Sequence, residues 1–338
     1  MPGDSSPLGS AAPASGTVLE VRDLSVEYLL ERGTVLAVDQ VSFDLSAGEF
    51  LGIVGESGCG KSTLLFAIAQ LLVPPAEVTG GSVIFKGRNM VGLTDRELSA
   101  VRWRDLSVVM QSAMNALNPV KSIGAQYFDA MRAHGVASKG EIAERSSEVL
   151  KMVGIDPVHL KSYPHQLSGG MRQRAMIAMA LLFTPDLVIM DEPTSALDVV
   201  AQRSLMVQIK ELQEQLGFAI IFVTHDMSLV SHFSDRLMVM YGGLVAEFGA
   251  TRQVFDNPLH PYSIGLLEAF PSIRGPRVPL TGIPGSPPNL ANIPPGCRFA
   301  PRCPKVMARC EVEPPELYEV DGTLVRCFLH DGGRPGND

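Results

Sequence analysis

The chain has 338 residues, of which 46% are hydrophobic and 19% charged, and a formal net charge of −8. That size and composition allow two domains, or one large domain with an appendage, around a sizeable core. The acidic balance, with no face-wide excess of Lys and Arg, argues against nucleic acid as the main partner.

No apolar run reaches the ~18 residues a membrane span needs. The best stretch, Ala175 to Phe183, stops at Thr184-Pro185. Residues Met1 to Gly16 are small and rich in Pro, Ser and Ala, without the basic-then-apolar layout of a signal peptide. They are expected to be a disordered tail, and the chain to be cytosolic with only peripheral membrane contact. Disulfides among its five cysteines are not expected in that compartment.

In chain order, Val18 to Tyr28 alternates apolar and polar residues and reads as an edge strand, and Val35 to Leu45 as a second strand. Leu51 to Val54 is a short apolar strand, and Leu64 to Ala69 opens a helix. Between them lies Gly55-Glu-Ser57-Gly58-Cys-Gly60-Lys61-Ser62-Thr63, a match to G-x-x-x-x-G-K-[ST] in the strand–loop–helix context that makes it a phosphate site. Its glycines let backbone N–H groups turn inward, and the following helix aims its positive end at the same anion. Lys61 is expected to reach the β- and γ-phosphates of ATP, and Ser62 to ligate Mg²⁺. Ser82 to Phe85, after Gly80-Gly81, reads as another strand. From about Thr94 to Tyr163 the sequence becomes polar and helical. There Ser138-Lys-Gly-Glu141 has the capping-box form, Gly154 stops the helix, and Ile142, Val149, Leu150 and Val153 share a buried face.

Leu187 to Met190 and Ala219 to Val223 are fully apolar strands separated by a helical stretch, Ala201 to Leu216, which calls for a parallel sheet covered on both faces. Arg236 to Tyr241 adds a further strand. Asp191, at the carboxyl end of the first of these strands, is placed to hold Mg²⁺, and Glu192 suits a base that polarises the attacking water. Ser168-Gly169-Gly170 opens the helix Arg172 to Phe183, with Ser168 as its N-cap, and gives the chain a second anion-binding helix terminus.

The phosphate loop, Gln111, Leu167-Ser-Gly-Gly-Met171, Asp191-Glu192, Ser195-Ala-Leu-Asp198 and His225 occur in the order found in ATP-binding cassette (ABC) ATPases, which the chain resembles from about Val18 to Gly249. The resemblance implies a P-loop NTPase α/β fold: a parallel sheet core, an antiparallel edge subdomain and an inserted helical subdomain. It implies that Ser168, Gly169 and Gly170 complete the ATP site of a facing subunit. Tyr28 resembles the aromatic that stacks on adenine, though it shares a strand face with Leu24 and Val26 and also fits plain core packing. Gln111 resembles the residue that touches Mg²⁺ and the attacking water, Asp198 one that communicates across the dimer, and His225 the γ-phosphate sensor.

Asn115-Ala-Leu-Asn-Pro119, Asn257-Pro-Leu-His-Pro-Tyr262, Pro284-Gly-Ser-Pro287 and Gly296-Cys-Arg-Phe-Ala-Pro-Arg-Cys303 resemble segments of oligopeptide and dipeptide importer ATPases. That resemblance implies residues 1–16 as a tail, 17–255 as the cassette, with its helical insertion at about 94–164, and 256–338 as a Pro- and Cys-rich appendage. It implies a peripheral place on the cytoplasmic face of the cell membrane. The implied partners are a second, paralogous ATPase, two permease subunits and an extracytoplasmic binding protein, with peptides, nickel or oligosaccharides as cargo. Cys297, Cys303, Cys310 and Cys327 are spaced C-x5-C-x6-C-x16-C, wider than the close pairs usual for structural zinc. A [4Fe–4S] cluster is the expected occupant, as in family members with this appendage, with zinc or free thiols as the alternatives.

Overall fold

The computed structural model describes residues 16–31, 33–111, 116–195, 197–269 and 282–332. Two sheets close over the helix Lys61–Ile68, whose Leu64, Leu65 and Ile68 are fully buried between them. The first is antiparallel, in the order β2-β1-β4-β5, from β1 (Thr17–Leu30), β2 (Gly33–Ser46), β4 (Ala76–Phe85) and β5 (Arg88–Asn89). Its inward residues, among them Val21, Leu24 and Val26 of β1 and Val41 and Phe43 of β2, join one core with Leu51 and Ile53 of β3 (Phe50–Val54).

The second sheet has eight strands in the order β11-β12-β10-β9-β3-β8-β7-β6. Strand β6 (Leu106–Val109), β7 (Leu187–Asp191), β8 (Ala219–Val223), β3 and β9 (Arg236–Tyr241) run parallel, with Ile53 opposite both Val223 and Met238. Every residue of β3, β7 and β8 is buried, as a strand covered by helices on both faces requires. Strands β10 (Leu244–Ala250), β12 (Thr323–Val325) and β11 (Tyr318–Val320) complete it antiparallel.

A second core lies on the other side of this sheet. There helices Ile123–Ala133 and Lys139–Met152 pack with Gly169–Ala180 and Val199–Leu216. Ser122, Ser138, Ser168 and Asp198 each accept a hydrogen bond from the backbone N–H three residues on, so all four helices start on a side-chain cap. At Ser138 only that half of the expected capping box is made.

Four expectations change. Strand β1 is interior, hydrogen-bonded to β2 on one side and β4 on the other. Alternation reports one buried face, and interior and edge strands of a half-covered antiparallel sheet share it. Strand β4 starts at Ala76, six residues ahead of Ser82, and runs through Gly80-Gly81 with a register shift against β1. Strand β6 falls inside the stretch read as helical. Only four residues long, it is buried on both faces and lacks a strand's alternation. Lastly, the Cys-bearing segment is not separate from the cassette: β12 pairs with β10, Glu247 opposite Val325 and Phe248 opposite Leu324.

Candidate active site

The phosphate loop leaves β3 at Gly55, with φ of 150°, and enters the helix Lys61–Ile68 at Gly60, with φ of 101°. A Cβ on Gly55 would stand 2.2 Å from the Met240 carbonyl oxygen, and one on Gly60 2.2 Å from that of Ala37. Both are glycine because conformation and space exclude every other residue. Lys61 is buried and folds back over the loop, its Nζ donating to the carbonyl oxygens of Gly55 at 2.7 Å and Glu56 at 2.9 Å. An ammonium held inside a glycine-bounded loop at a helix N-terminus makes an anion site. Cys59 is buried within the loop, its Sγ 3.7 Å from Lys61 Nζ, and burial raises its thiol pKa. Tyr28 Oη and Thr63 Oγ1 are 3.1 Å apart, which ties β1 to the start of this helix.

Asp191 ends β7 and is almost fully buried beside the loop. Burial raises its pKa, a hydrogen bond from Ser62 and the charge of Lys61 lower it, and Glu192 raises it further. Among the described residues its Oδ1 has no hydrogen-bond partner. An orphaned buried carboxylate oxygen beside a serine hydroxyl matches the donor set of Mg²⁺ in nucleotide sites. The residues present therefore fit the metal.

The next residue turns the other way. Glu192 has φ of 44°, in the left-handed region, and its N–H donates to the Val223 carbonyl at 2.9 Å. Its side chain is mostly covered, and Oε2 accepts from Gln111 Nε2 at 3.0 Å and stands 3.4 Å from His225 Nδ1. Gln111, Glu192 and His225 follow β6, β7 and β8, three adjacent parallel strands, so their meeting is a consequence of strand order. Ligand sites on such sheets form outside the carboxyl ends of the strands.

Ser168, Gly169 and Gly170 lie at the start of a helix in the second core, where Ser168 Oγ accepts from the Met171 N–H at 3.3 Å. Among the described residues no hydrogen bond or ion pair joins them to the phosphate loop. Asp198 caps the helix Val199–Leu216 through Ala201, and the next residues, Val199 and Val200, are about four-fifths exposed. Ser57 and Gly58 lie on the loop, with open space around Gly58. Asn115 falls outside the described residues.

Cys297, Cys303, Cys310 and Cys327 line one small cavity with Phe299, Ala300 and Phe328. Burial, and then the other thiols, push Cys327 up to about 11, and burial raises Cys297 and Cys303 as well. Among the described residues no group of three or more Cys, His, Asp or Glu stands ready to hold a single metal ion. Four thiols round one enclosure are a donor set that iron–sulfur clusters and zinc both use.

One contact had no signal in the sequence. Glu56, a variable position of the phosphate loop, is gripped by Arg302, whose Nη1 and Nη2 donate to Glu56 Oε2 and Oε1 at 2.6 and 2.9 Å. The two are 246 positions apart, beyond any motif.

A phosphate loop, a buried aspartate at one strand end and a glutamate beside it between Gln and His define the nucleotide-binding unit of an ATP-binding cassette. The sequence profile described as "ABC transporter" matches residues 38–195, and one described as "Oligopeptide/dipeptide transporter, C-terminal region" matches residues 246–310. The dipeptide transport ATP-binding protein DppD of Caldanaerobacter subterraneus is 42% identical over 94% of this chain and 98% of its own length. The oligopeptide transport ATP-binding protein OppD of Salmonella typhimurium is 44% identical over 94% of this chain and 95% of its own. A dimeric ATP-binding cassette solved in a post-hydrolysis state with ADP and Pi superimposes with a TM-score of 0.62 at 30% identity, covering 69% of this chain and 99% of that one. The chain belongs to the family of ATP-binding subunits of oligopeptide and dipeptide ABC transporters. No helix among its described residues is long and apolar enough to cross a membrane.

Proposed function

We propose that the chain hydrolyses Mg·ATP to drive peptide import, as a peripheral subunit on the cytoplasmic face of the cell membrane. The observation that carries the reading is Glu192, held at 3.0 Å by Gln111 and 3.4 Å from His225 beside the phosphate loop. Lys61 and the loop amides bind the β- and γ-phosphates; Ser62 and Asp191 would hold Mg²⁺, which when bound would supply positive charge at the phosphates. Glu192 accepts the proton of the attacking water, Gln111 orients that water and His225 senses the γ-phosphate. Tyr28 is assigned to adenine.

Ser168, Gly169 and Gly170, at a capped helix start of their own, are proposed to complete the pocket of a facing ATPase, with Asp198 at the junction. That partner is proposed to be a paralogue. Two permeases and an extracytoplasmic binding protein complete the importer. ATP then shifts the population toward the closed pair because its phosphates contact both chains. In the assembled transporter, Glu192→Gln is expected to form the ATP-dependent closed pair while turnover falls at least about a hundredfold. Normal turnover in that variant would remove Glu192 from the role of base.

A [4Fe–4S] cluster is proposed for Cys297, Cys303, Cys310 and Cys327, as a staple for a segment with little core of its own. Anaerobic reconstitution with iron and sulfide is expected to bind four irons per chain and to raise the thermal midpoint. Cys310→Ser should abolish both effects. Stoichiometric zinc in the purified chain, with no iron uptake, would decide for the other metal.

A further inference from the structure

The phosphate loop carries a carboxylate, Glu56, where a triphosphate must bind. An unpaired anion there repels the ligand, and the repulsion is strong in a site that excludes water. The C-terminal segment meets this carboxylate with a buried guanidinium. Arg302 forms two parallel hydrogen bonds to Glu56, the planar fork-to-fork geometry that Lys cannot reproduce. Arg302 is itself held by the Pro284 carbonyl at 2.7 Å and Tyr241 Oη at 3.3 Å. The Glu56 N–H donates to Tyr262 Oη at 2.8 Å. Tyr262 sits in a helix begun at His260, whose Nδ1 accepts from the Tyr262 N–H at 2.9 Å. One loop residue is thus tied to the C-terminal segment through both its side chain and its backbone.

We infer that Arg302 is a positioning residue for ATP: it neutralises Glu56 and draws that side chain away from the phosphates, while Tyr262 fixes the Glu56 peptide. The C-terminal segment thereby sets the affinity of the loop through Glu56. The inference rests on the loop being the ATP site.

Equilibrium binding of a fluorescent, non-hydrolysable ATP analogue with Mg²⁺ to the full chain tests it, with thermal midpoints measured in parallel. Arg302→Gln is expected to weaken binding about tenfold, the cost of exposing the ligand to one unpaired loop anion. Glu56→Gln alone should bind within about threefold of the parent, because it removes the anion along with its need for a partner. The double variant Glu56→Gln/Arg302→Gln should recover most of the loss, and added salt should narrow the gap between Arg302→Gln and the parent. Tyr262→Phe, which keeps the buried ring, should weaken binding less than Arg302→Gln and show no rescue by Glu56→Gln. A double variant as weak as Arg302→Gln, or Arg302→Gln binding like the parent, would overturn the inference. Lys61→Ala is the separate control: if it binds normally, the phosphate-site reading itself falls and takes this inference with it.

Discussion

One strand end delivers two carboxylates to different surroundings. Asp191 closes β7 with its side chain inside, and Glu192, one residue later, adopts a positive φ that costs a non-glycine residue on the order of 1 kcal/mol. The strained turn puts Glu192 between Gln111 and His225 instead of into the core. The buried partner, Asp191, is where opposing charges meet. Burial raises the Asp191 pKa, and Ser62 and Lys61 oppose that. Mg²⁺ adds a further opposing charge, so its binding and Asp191 ionisation should be linked. Asp191→Asn keeps the shape and removes the charge. Turnover is expected to fall about a hundredfold, equivalent to about 3 kcal/mol of charge stabilisation, with a higher Mg²⁺ requirement. A Mg²⁺ titration of ATPase activity at saturating ATP reads both effects. An unchanged midpoint would free Asp191 from the metal.

At the scale of elements, what could be read from the sequence followed how completely each element is wrapped. Strands β3, β7 and β8 are buried on both faces and appear as unbroken apolar runs, so their ends, and therefore Lys61, Asp191 and His225, were legible. The helix at Lys139–Met152 was legible because Ser138 caps it, Gly154 ends it at φ of 69°, and Ile142, Val149 and Leu150 repeat on one face. Strand β6 was not: four residues give no periodicity, and what makes them a strand is the pairing of Val108 with Ile189 in β7. Its omission matters for the site, since β6 carries Gln111 to Glu192. The interior place of β1 was equally invisible, because its pairing with β4 is a long-range register in which Val21 faces Val83. Arg302 and Glu56 mark the same limit in side chains. Each sits in a recognisable stretch, but an ion pair across 246 positions leaves no local trace in either.

The whole molecule is joined across a seam where the C-terminal segment meets the cassette, and that seam contains buried ionisable groups. Glu247 on β10 accepts from the N–H groups of Leu259 and His260, both at 2.9 Å. The His260 ring is buried and faces His330 and Arg326, while its backbone N–H meets Glu247. Burial holds its imidazole neutral, with a pKa of about 3, and the neutral ring accepts the Tyr262 N–H that starts the helix holding Glu56. Below the ordinary His value of about 6.5, an unfolded chain takes a proton here that the folded chain refuses. Folding stability from this residue is therefore complete above about pH 6.5 and falls as the pH drops toward 3, by on the order of 1 kcal/mol per unit. Glu247 works with the opposite sign. Burial raises its pKa, so just above the usual carboxylate range the folded chain holds the extra proton. Comparison with a variant separates the two. His260→Asn keeps an N-cap acceptor but cannot titrate, so between pH 6.5 and 4.5 its thermal midpoint should fall less steeply than the parent's. Because His260 supports the helix that carries Tyr262, the parent's affinity for the ATP analogue should decline over the same range ahead of global unfolding. Identical midpoint-against-pH slopes for parent and variant would mean that His260 is solvated and that acid acts on this fold elsewhere.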